Sequence, residues 1–261
     1  MNESIRMAVV FVLSLMPSLL LAQQPSTQPS LPETTRLDLF LLIGQSNMAG
    51  RGKVEPIDQV INPRIWVLNK EMQWAPAIDP LHWDRPERIG VGPGMGFARA
   101  VIEKSPSSTI GLIPAAVGGS SIDLWKKDGE FYANAIARTK LAMKHGTLRA
   151  ILWHQGEADS RPEQLADHPA KLKQLVADLR ADLNAPDMPF ILGQIGEFYV
   201  TVHPETTKMN QILMEFPKSM PKTACASSGG LTQMGDNTHF DSPAARELGK
   251  RYAQAYFDLT K

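Results

Sequence analysis

The stretch LDLFLLIGQSNMAG, residues 37–50, joins a short apolar run to a polar segment that contains a serine. Residues 37–44 are nearly all apolar, as is typical of a strand buried on both faces of a parallel sheet. The segment after this run carries Ser46 between Gln45 and Asn47, whose side-chain amides can donate hydrogen bonds. The stretch therefore predicts a central strand that ends at a hydroxyl group, which is either a nucleophile or a turn residue.

Apolar runs of the same kind recur along the chain and alternate with segments of helical spacing. In residues 172–183, for example, the leucines follow the spacing of a single buried helix face. This alternation predicts one α/β domain with a central parallel sheet and helices on both faces. The further predicted strands are 109–116, 149–155, 189–195 and 223–227, a predicted hairpin joins 65–68 to 72–74, and the predicted helices are 94–103, 130–145, 172–183 and one that starts at Ser242-Pro243.

The N-terminal segment predicts an export signal. Arg6 precedes an apolar run that ends at Ala22 and is shorter than the ~20 residues that a membrane-spanning helix needs. A linker rich in proline, serine, threonine and glutamine follows. We therefore expect a secreted or periplasmic protein, with an uncleaved membrane anchor as the alternative. The expected divisions are a signal peptide over residues 1–22, a flexible linker over 23–36 and the folded domain over 37–261.

The charge balance argues against a polyanionic partner. The chain has 27 basic and 27 acidic residues and a formal net charge of zero, whereas nucleic-acid-binding proteins usually carry a basic excess. Its one cysteine, Cys225, is expected to be a small buried hydrophobic residue rather than a thiol nucleophile. Spacings typical of metal or nucleotide sites do not occur in the sequence, so we expect neither a metal nor a cofactor.

Four polar clusters follow predicted strands, at the edge where open α/β sheets bind ligands. Because the carboxyl ends of parallel strands meet at one edge of a sheet, we expect these clusters to build a single site. The clusters are 44–47, 117–121, 154–157 and 236–240.

Ser46 needs a base to act as a nucleophile, because an alcohol is almost fully protonated at neutral pH. Of the six histidines, His239 is the best candidate, since it follows the last strand and can approach the same edge of the sheet. Asp236 precedes it by three residues, so a turn could bring the carboxylate to the imidazole and set its tautomer. Asp241 is a weaker candidate for this role and a better N-cap for the final helix.

Attack on an acyl carbon creates an oxyanion, which needs hydrogen-bond donors that are already in place. Glu157 and Asn47 are expected to support such a site, Glu157 by holding loop amides, and general-base catalysis by Glu157 is the alternative. The candidate oxyanion donors are the amide of Ser46, a glycine amide from Gly118 or Gly119, and the carboxamide of Gln155.

The motifs GQSNMAGRG, GVGPGMGFA, AVGGSSI, WHQGEAD and DNTHF together resemble carbohydrate esterase family 6. That family is grouped with the sialic acid-specific acetylesterase-like domain and belongs to the SGNH hydrolase superfamily. The resemblance extends from residue 37 to the last predicted helix. It implies a three-layer sandwich with a flavodoxin-like parallel sheet, and an activity that removes O-acetyl groups from sugars.

The resemblance also implies roles for individual residues. Ser46 matches the nucleophile of the family, Gly119 matches its oxyanion glycine, and Gln155 stands where many SGNH hydrolases have asparagine. Asp236 and His239 match the Asp-x-x-His motif of the family.

We therefore expect a serine esterase that removes acetyl groups from carbohydrates such as acetyl xylan through an acetyl-enzyme. A sialate O-acetylesterase and a non-catalytic domain that binds acetylated glycans are the alternatives. Trp83, Arg85 and Trp125 are expected to form a sugar platform, because aromatic rings suit the apolar faces of sugars. Neither nucleic-acid binding nor stable membrane insertion after signal cleavage is expected.

Overall fold

The computed structural model describes residues 30–261, in which seven strands form one sheet between two layers of helices. The strands are β1 (Leu37–Gly44), β2 (Ile65–Leu68), β3 (Trp74–Pro76), β4 (Ile110–Pro114), β5 (Gly146–His154), β6 (Phe190–Gly193) and β7 (Thr223–Ala226). The α-helices are α1 (Ser46–Ala49), α2 (Pro93–Lys104), α3 (Glu130–Ala142), α4 (Pro162–Leu165), α5 (His168–Asp182), α6 (Glu197–Val202), α7 (Thr206–Glu215) and α8 (Ser242–Thr260).

The sheet has the order β3-β2-β4-β1-β5-β6-β7. From β4 to β7 its neighbours are parallel and follow the 2-1-3-4-5 order of flavodoxin-like sheets. The prediction of an α/β sandwich with a flavodoxin-like sheet is therefore confirmed. The predicted hairpin also forms, as β2 and β3, but it joins this sheet. β3 is antiparallel to β2, so the sheet is mixed at one edge rather than parallel throughout.

β1 is buried on both faces and separates two hydrophobic cores. Leu39 and Leu41 pack in the core that contains residues of α3, α5 and α7. Phe40 and Leu42 point the other way, into the core that contains residues of α2 and α8. Because neither face meets water, the strand reads as a nearly continuous apolar run instead of an alternating one.

The last helix begins where the sequence predicts it. Asp241 is its N-cap, and one of its side-chain oxygens accepts a hydrogen bond from the amide of Ala244 at 2.9 Å. Pro243 lies in the first turn, where its missing amide proton costs no hydrogen bond. The capping role predicted for Asp241 is confirmed.

The order of the strands places the functional loops. After β1 the chain forms β2, β3 and β4, which all lie on one side of β1, and it then crosses to β5 on the other side. The direction of the crossovers therefore reverses between β1 and β5, and ligands of such sheets bind beyond the strand ends at this point. Ser46 follows β1 and Glu157 follows β5 at this position.

The predicted signal peptide and the first part of the predicted linker lie outside the described residues. Within the described part of the linker, Leu31 packs against the core that contains Leu39 and Leu41. The guanidinium of Arg36 donates a hydrogen bond to the carbonyl of Lys144 at 3.2 Å. Across residues 30–261, no helix is long and apolar enough to cross a membrane.

Candidate active site

Ser46, His239 and Asp236 form a chain of hydrogen bonds. Ser46 Oγ lies 2.9 Å from His239 Nε2, and His239 Nδ1 lies 2.6 Å from Asp236 Oδ2. Because a carboxylate can only accept hydrogen bonds, Nδ1 carries the proton that faces Asp236, and Nε2 is free to accept the proton of the hydroxyl. The structure thus brings together the three residues that the sequence places in two separate clusters, in the order nucleophile, base and acid.

The position of Ser46 depends on the way the chain leaves β1. Gly44 has a φ of 122°, and a Cβ at this position would lie 2.1 Å from the carbonyl oxygen of His154 in β5. Glycine alone accommodates both the backbone angle and this close approach. The amide of Gln45 then donates to the same carbonyl at 2.8 Å, and the single turn of α1 starts at Ser46. The hydroxyl therefore stands at the carboxyl edge of the sheet, between β1 and β5.

Asp236 is part of the turn that carries His239. Its Oδ1 accepts the amides of Thr238 and His239, each at 2.9 Å, while its Oδ2 faces the imidazole. Burial acts to raise the pKa of Asp236, but the hydrogen bonds from the imidazole and from these amides outweigh it, so the pKa is below its ordinary value. Asp236 is therefore ionised at neutral pH and able to stabilise an imidazolium.

The electrostatic surroundings keep His239 neutral. Burial lowers the pKa of His239, because it disfavours the charged imidazolium. The hydrogen bond to Asp236 acts in the opposite direction, whereas the positive charges of Arg51 and Arg88 lower the pKa further. The result is a pKa below the ordinary value of 6.5, so the imidazole is in the form that can accept a proton at pH 7.

Asn47 ties the serine helix to the histidine loop. Its Oδ1 accepts the amide of Phe240 at 3.2 Å and its Nδ2 donates to the carbonyl of Thr238 at 3.0 Å, so it holds both chain neighbours of His239. The same Nδ2 donates to Glu157 Oε1 at 2.6 Å. The supporting role expected of Glu157 thus takes the form of a bond to a side-chain amide, which fixes the orientation of Asn47.

Two backbone amides beside Ser46 are candidates for binding an oxyanion. The amides of Ser46 and Gly119 have no hydrogen-bond acceptor within residues 30–261, and both residues line one cavity. Gly119 has a φ of 76°, and a Cβ there would meet nothing within 4 Å, so open space lies beside it. The amide of Gly118, in contrast, donates to Asp84 Oδ2 at 2.7 Å. Gly118 therefore fixes the loop, and Gly119 is left with a free donor.

A cavity of about 280 Å³ opens over the serine and the histidine. Arg85 and Arg88 are exposed at its wall, and neither guanidinium has an ion-pair partner in the described part of the chain. Arg51 lines the same cavity but is paired with Asp84 at 2.6 Å. The cavity therefore has two free positive charges at its wall. The residues that line it are Gln45, Ser46, Arg51, Arg85, Arg88, Gly118, Gly119, Glu157, Ala158, Tyr199, Thr238 and His239.

Two other reactive side chains do not line the cavity. His154 is fully buried beside the hydroxyl of Tyr252 at 3.1 Å, and burial lowers its pKa to about 3. Cys225 is partly buried in β7, and burial raises the pKa of its thiol to about 12, so it is not a nucleophile at neutral pH. The described residues contain no group of three or more side chains suited to hold a metal ion.

Comparison with known proteins agrees with this geometry. The family model described as "Carbohydrate esterase, sialic acid-specific acetylesterase" matches residues 36–258. A probable carbohydrate esterase of Arabidopsis thaliana is 33% identical over 255 residues, which cover 89% of this chain and 94% of that protein. The chain belongs to this family of carboxylic ester hydrolases.

Solved structures show the same fold as this esterase. The crystal structure of the Arabidopsis protein superposes with a TM-score of 0.78 at 31% identity, covering 85% of this chain and 98% of that chain. The structure of NanS gives a TM-score of 0.68 at 17% identity and covers 87% of this chain and 98% of that chain. A carbohydrate acetylesterase from Xanthomonas citri gives 0.63 at 19% identity and covers 84% and 55% of the two chains. The last two likenesses concern the fold alone.

Gln155 does not line the cavity of the esterase, so the structure does not place it as the third oxyanion donor that the sequence predicts. Its side chain is fully buried, and Nε2 donates to the carbonyl of Ser120 at 3.2 Å and to Asp159 Oδ2 at 2.5 Å. Its Oε1 lies 3.3 Å from His168 Nε2. Both donor protons are occupied, which leaves none for an oxyanion. Because Ser120 follows Gly119, Gln155 instead holds the loop that presents the free glycine amide.

The predicted aromatic platform is also wrong. Trp125 is fully buried, where its Nε1 donates to Ser120 Oγ at 2.9 Å. The ring of Trp83 is half-buried and lies 4.5 Å from the guanidinium carbon of Arg138. Of the three residues expected there, Arg85 alone lines the cavity.

Sequence reasoning missed several residues of the site. Arg51 stands inside the motif GQSNMAGRG, and Asp84 and Arg88 stand in the irregular segment before GVGPGMGFA. Their position in or near motifs that resemble the esterase family is the one feature of the sequence that could have pointed to them. Tyr199 lies at the start of a short helix and carries no comparable signal.

We expect Asn47→Ala to lower the rate of ester hydrolysis by about 10- to 100-fold, because a misplacement of about 1 Å can cost 10²-fold. The change removes the two bonds that hold the neighbours of His239 and leaves Glu157 without its partner. Asn210→Ala is the matched control, since Asn210 is also buried and makes two bonds, to the amide and carbonyl of Ile195.

Steady-state kinetics and thermal unfolding of both variants provide the measurement. Asn210→Ala should lose stability with little loss of rate. Equal rates for Asn47→Ala and the unmodified enzyme would contradict the role given to Asn47.

Proposed function

We propose that this protein is a serine O-acetylesterase that removes acetyl groups from carbohydrates through an acetyl-enzyme intermediate. The observation that carries the proposal is the series of hydrogen bonds from Ser46 through His239 to Asp236, next to the amides of Ser46 and Gly119, which have no acceptor within residues 30–261. A domain that only binds acetylated glycans has no need of these hydrogen bonds between nucleophile, base and acid. We therefore favour catalysis over the binding-module alternative.

In the proposed reaction, Ser46 Oγ attacks the acetyl carbonyl carbon while its proton moves to His239 Nε2. The amides of Ser46 and Gly119 hold the oxyanion, and Asp236 stabilises the imidazolium. His239 then gives the proton to the departing sugar oxygen as the ester C–O bond breaks, which leaves the acetyl group on Ser46. Water loses a proton to His239, attacks the acetyl group and releases acetate as Ser46 regains its proton.

The charges of the cavity favour an acetylated sugar that carries a carboxylate. Arg85 and Arg88 are exposed at the cavity wall without ion-pair partners in residues 30–261. A neutral xylan chain offers such guanidinium groups no charge to pair with, whereas a sialic acid offers its carboxylate. Within the proposal, the sialate O-acetylesterase alternative is therefore preferred to acetyl xylan.

We also propose that the enzyme acts outside the cytoplasm, as a secreted or periplasmic protein. Support comes from the basic residue and the apolar run that ends at Ala22, followed by a linker rich in proline and serine.

Ser46→Ala and Asp236→Asn test the catalytic proposal. Ser46→Ala removes the nucleophile and should abolish acetate release. Asp236→Asn keeps an oxygen for the loop amides but turns a donor toward His239, which favours the wrong tautomer, so turnover should fall by up to about 10⁴-fold. The measurement is acetate release from acetylated sugars and from p-nitrophenyl acetate.

Asp241→Asn is the matched control for this pair. It changes a nearby carboxylate that caps α8 and should leave turnover almost unchanged. Full activity of Asp236→Asn, or an equal loss in Asp241→Asn, would contradict the assigned acid. An unmodified protein that binds acetylated glycans without releasing acetate would favour the binding module.

The double variant Arg85→Ala/Arg88→Ala tests the proposed preference for an acidic sugar. We expect its KM for an O-acetylated sialic acid to rise about 10-fold. This is the lower end of the effect expected for loss of hydrogen bonds to a charged group, because both side chains are exposed and screened by solvent. Hydrolysis of p-nitrophenyl acetate should change little. Lys144→Ala, which removes an exposed cation before β5, is the control. An unchanged KM for the acidic sugar, or an equal rise for acetylated xylan, would contradict the preference.

A further inference from the structure

Arg51 and Asp84 form a buried ion pair beside the cavity, which Arg51 lines. Arg51 Nη2 lies 2.6 Å from Asp84 Oδ2 and Nη1 lies 3.3 Å from Oδ1, so the contact is two-pronged. Each side chain is only 3% exposed. Nη1 also donates to the carbonyl of Gly50 at 2.7 Å, which fixes the guanidinium to the chain just after α1. The carboxylate is thereby held in one place relative to the serine helix.

The ion pair contacts the glycine loop directly. Asp84 Oδ2 accepts the amide of Gly118 at 2.7 Å. A Cβ on Gly118 would lie 2.3 Å from Arg51 Nη2 and 2.8 Å from Asp84 Oδ2, so the pair fills the space in which a side chain would stand. The next residue is Gly119, whose free amide lines the cavity.

We propose that Asp84 is a positioning residue that sets the direction of the oxyanion-binding amide of Gly119, with Arg51 as its anchor. The inference rests on the proposed function, since it assigns this amide a role in the reaction. Asp84 does not line the cavity that opens over Ser46 and His239, so it does not contact the reacting atoms. It acts through the peptide unit of Gly118, which it holds on one side while Gln155 holds the carbonyl of Ser120 on the other.

The chemistry of the pair fits positioning better than stability. A buried ion pair gains little over apolar residues of the same volume, because both charges lose their hydration. A donor that serves an oxyanion must, in contrast, be in place before charge develops. Burial acts to raise the pKa of Asp84, but Arg51 and the amide of Gly118 outweigh it and keep the carboxylate ionised. Asp84 is thus a permanent acceptor at neutral pH.

The test compares Asp84→Asn with the unmodified enzyme on two esters, p-nitrophenyl acetate and p-nitrophenyl thionoacetate, in which sulfur replaces the carbonyl oxygen. In the asparagine, an NH2 group replaces one of the two acceptor oxygens and turns its protons toward a donor of Arg51 or Gly118. At least one bond that positions Gly118 or its anchor is therefore lost, at almost constant side-chain volume. Sulfur is a weak acceptor and gains little from oxyanion donors. The ratio of the two kcat/KM values therefore reports on these donors, while effects on the nucleophile and the base cancel.

We expect Asp84→Asn to lower the kcat for the oxygen ester by about 10- to 100-fold, since loss of a whole donor costs 10²–10³. The KM should stay unchanged, and the ratio of kcat/KM for the oxygen ester to kcat/KM for the thionoester should fall about 10-fold. Gly118→Ala should lower the ratio in the same direction, because its methyl group displaces the pair while both charges remain. It decides the question if Asp84→Asn does not fold.

Asp58→Asn is the control, because Asp58 is 3% exposed and pairs with Arg246 at 2.8 Å outside the cavity. It should lower the unfolding temperature without moving the ratio. A ratio within about twofold of the unmodified value in Asp84→Asn or in folded Gly118→Ala would overturn the positioning role alone. Failure of the unmodified enzyme to cleave either ester would instead overturn the proposed function.

Discussion

The hydrogen bond between Ser46 and His239 joins two segments that are 193 residues apart in the chain, and the chemistry of the site depends on it. The serine reaches this point because Gly44 lets β1 end against the backbone of β5. The histidine reaches it because Asp236 builds the turn beneath it and Asn47 holds the residues on either side. The strand order and the two loops thus place Ser46 Oγ 2.9 Å from His239 Nε2.

Around this contact the buried polar groups support one another in layers. Glu157 orients Asn47, Asp84 holds the amide of Gly118, and Gln155 holds the carbonyl of Ser120. Each of these bonds holds a group next to a residue of the cavity, since Asn47 adjoins Ser46 and both Gly118 and Ser120 adjoin Gly119. Buried hydrogen bonds are stronger than those in water, and an unpaired buried partner is costly, so these groups hold one another in place. This rigidity is what an oxyanion site requires, because its donors cannot reorganise during the reaction.

Much of this arrangement follows from local sequence patterns. The apolar run of β1, the cap at Asp241 and the three-residue spacing of Asp236 and His239 each depend on neighbours in the chain, so they could be predicted. Gln155 could not be placed, because its burial depends on Ser120 and Asp159 rather than on its own strand end. The burial of Trp125 and the pairing of Arg51 with Asp84 likewise depend on contacts between distant segments.

The central claim is that a neutral His239 accepts the serine proton, and the pH dependence of kcat/KM tests it most directly. This quantity reports the pKa of the base in the free enzyme. Since the neutral imidazole is the active form, kcat/KM has its full value above that pKa and decreases as the pH falls through it. We expect the midpoint of this acid limb for p-nitrophenyl acetate to lie below 6.5, because burial and the nearby arginines lower the pKa of His239. A midpoint above 6.5, or a rate without an acid limb while the protein stays folded, would contradict the account.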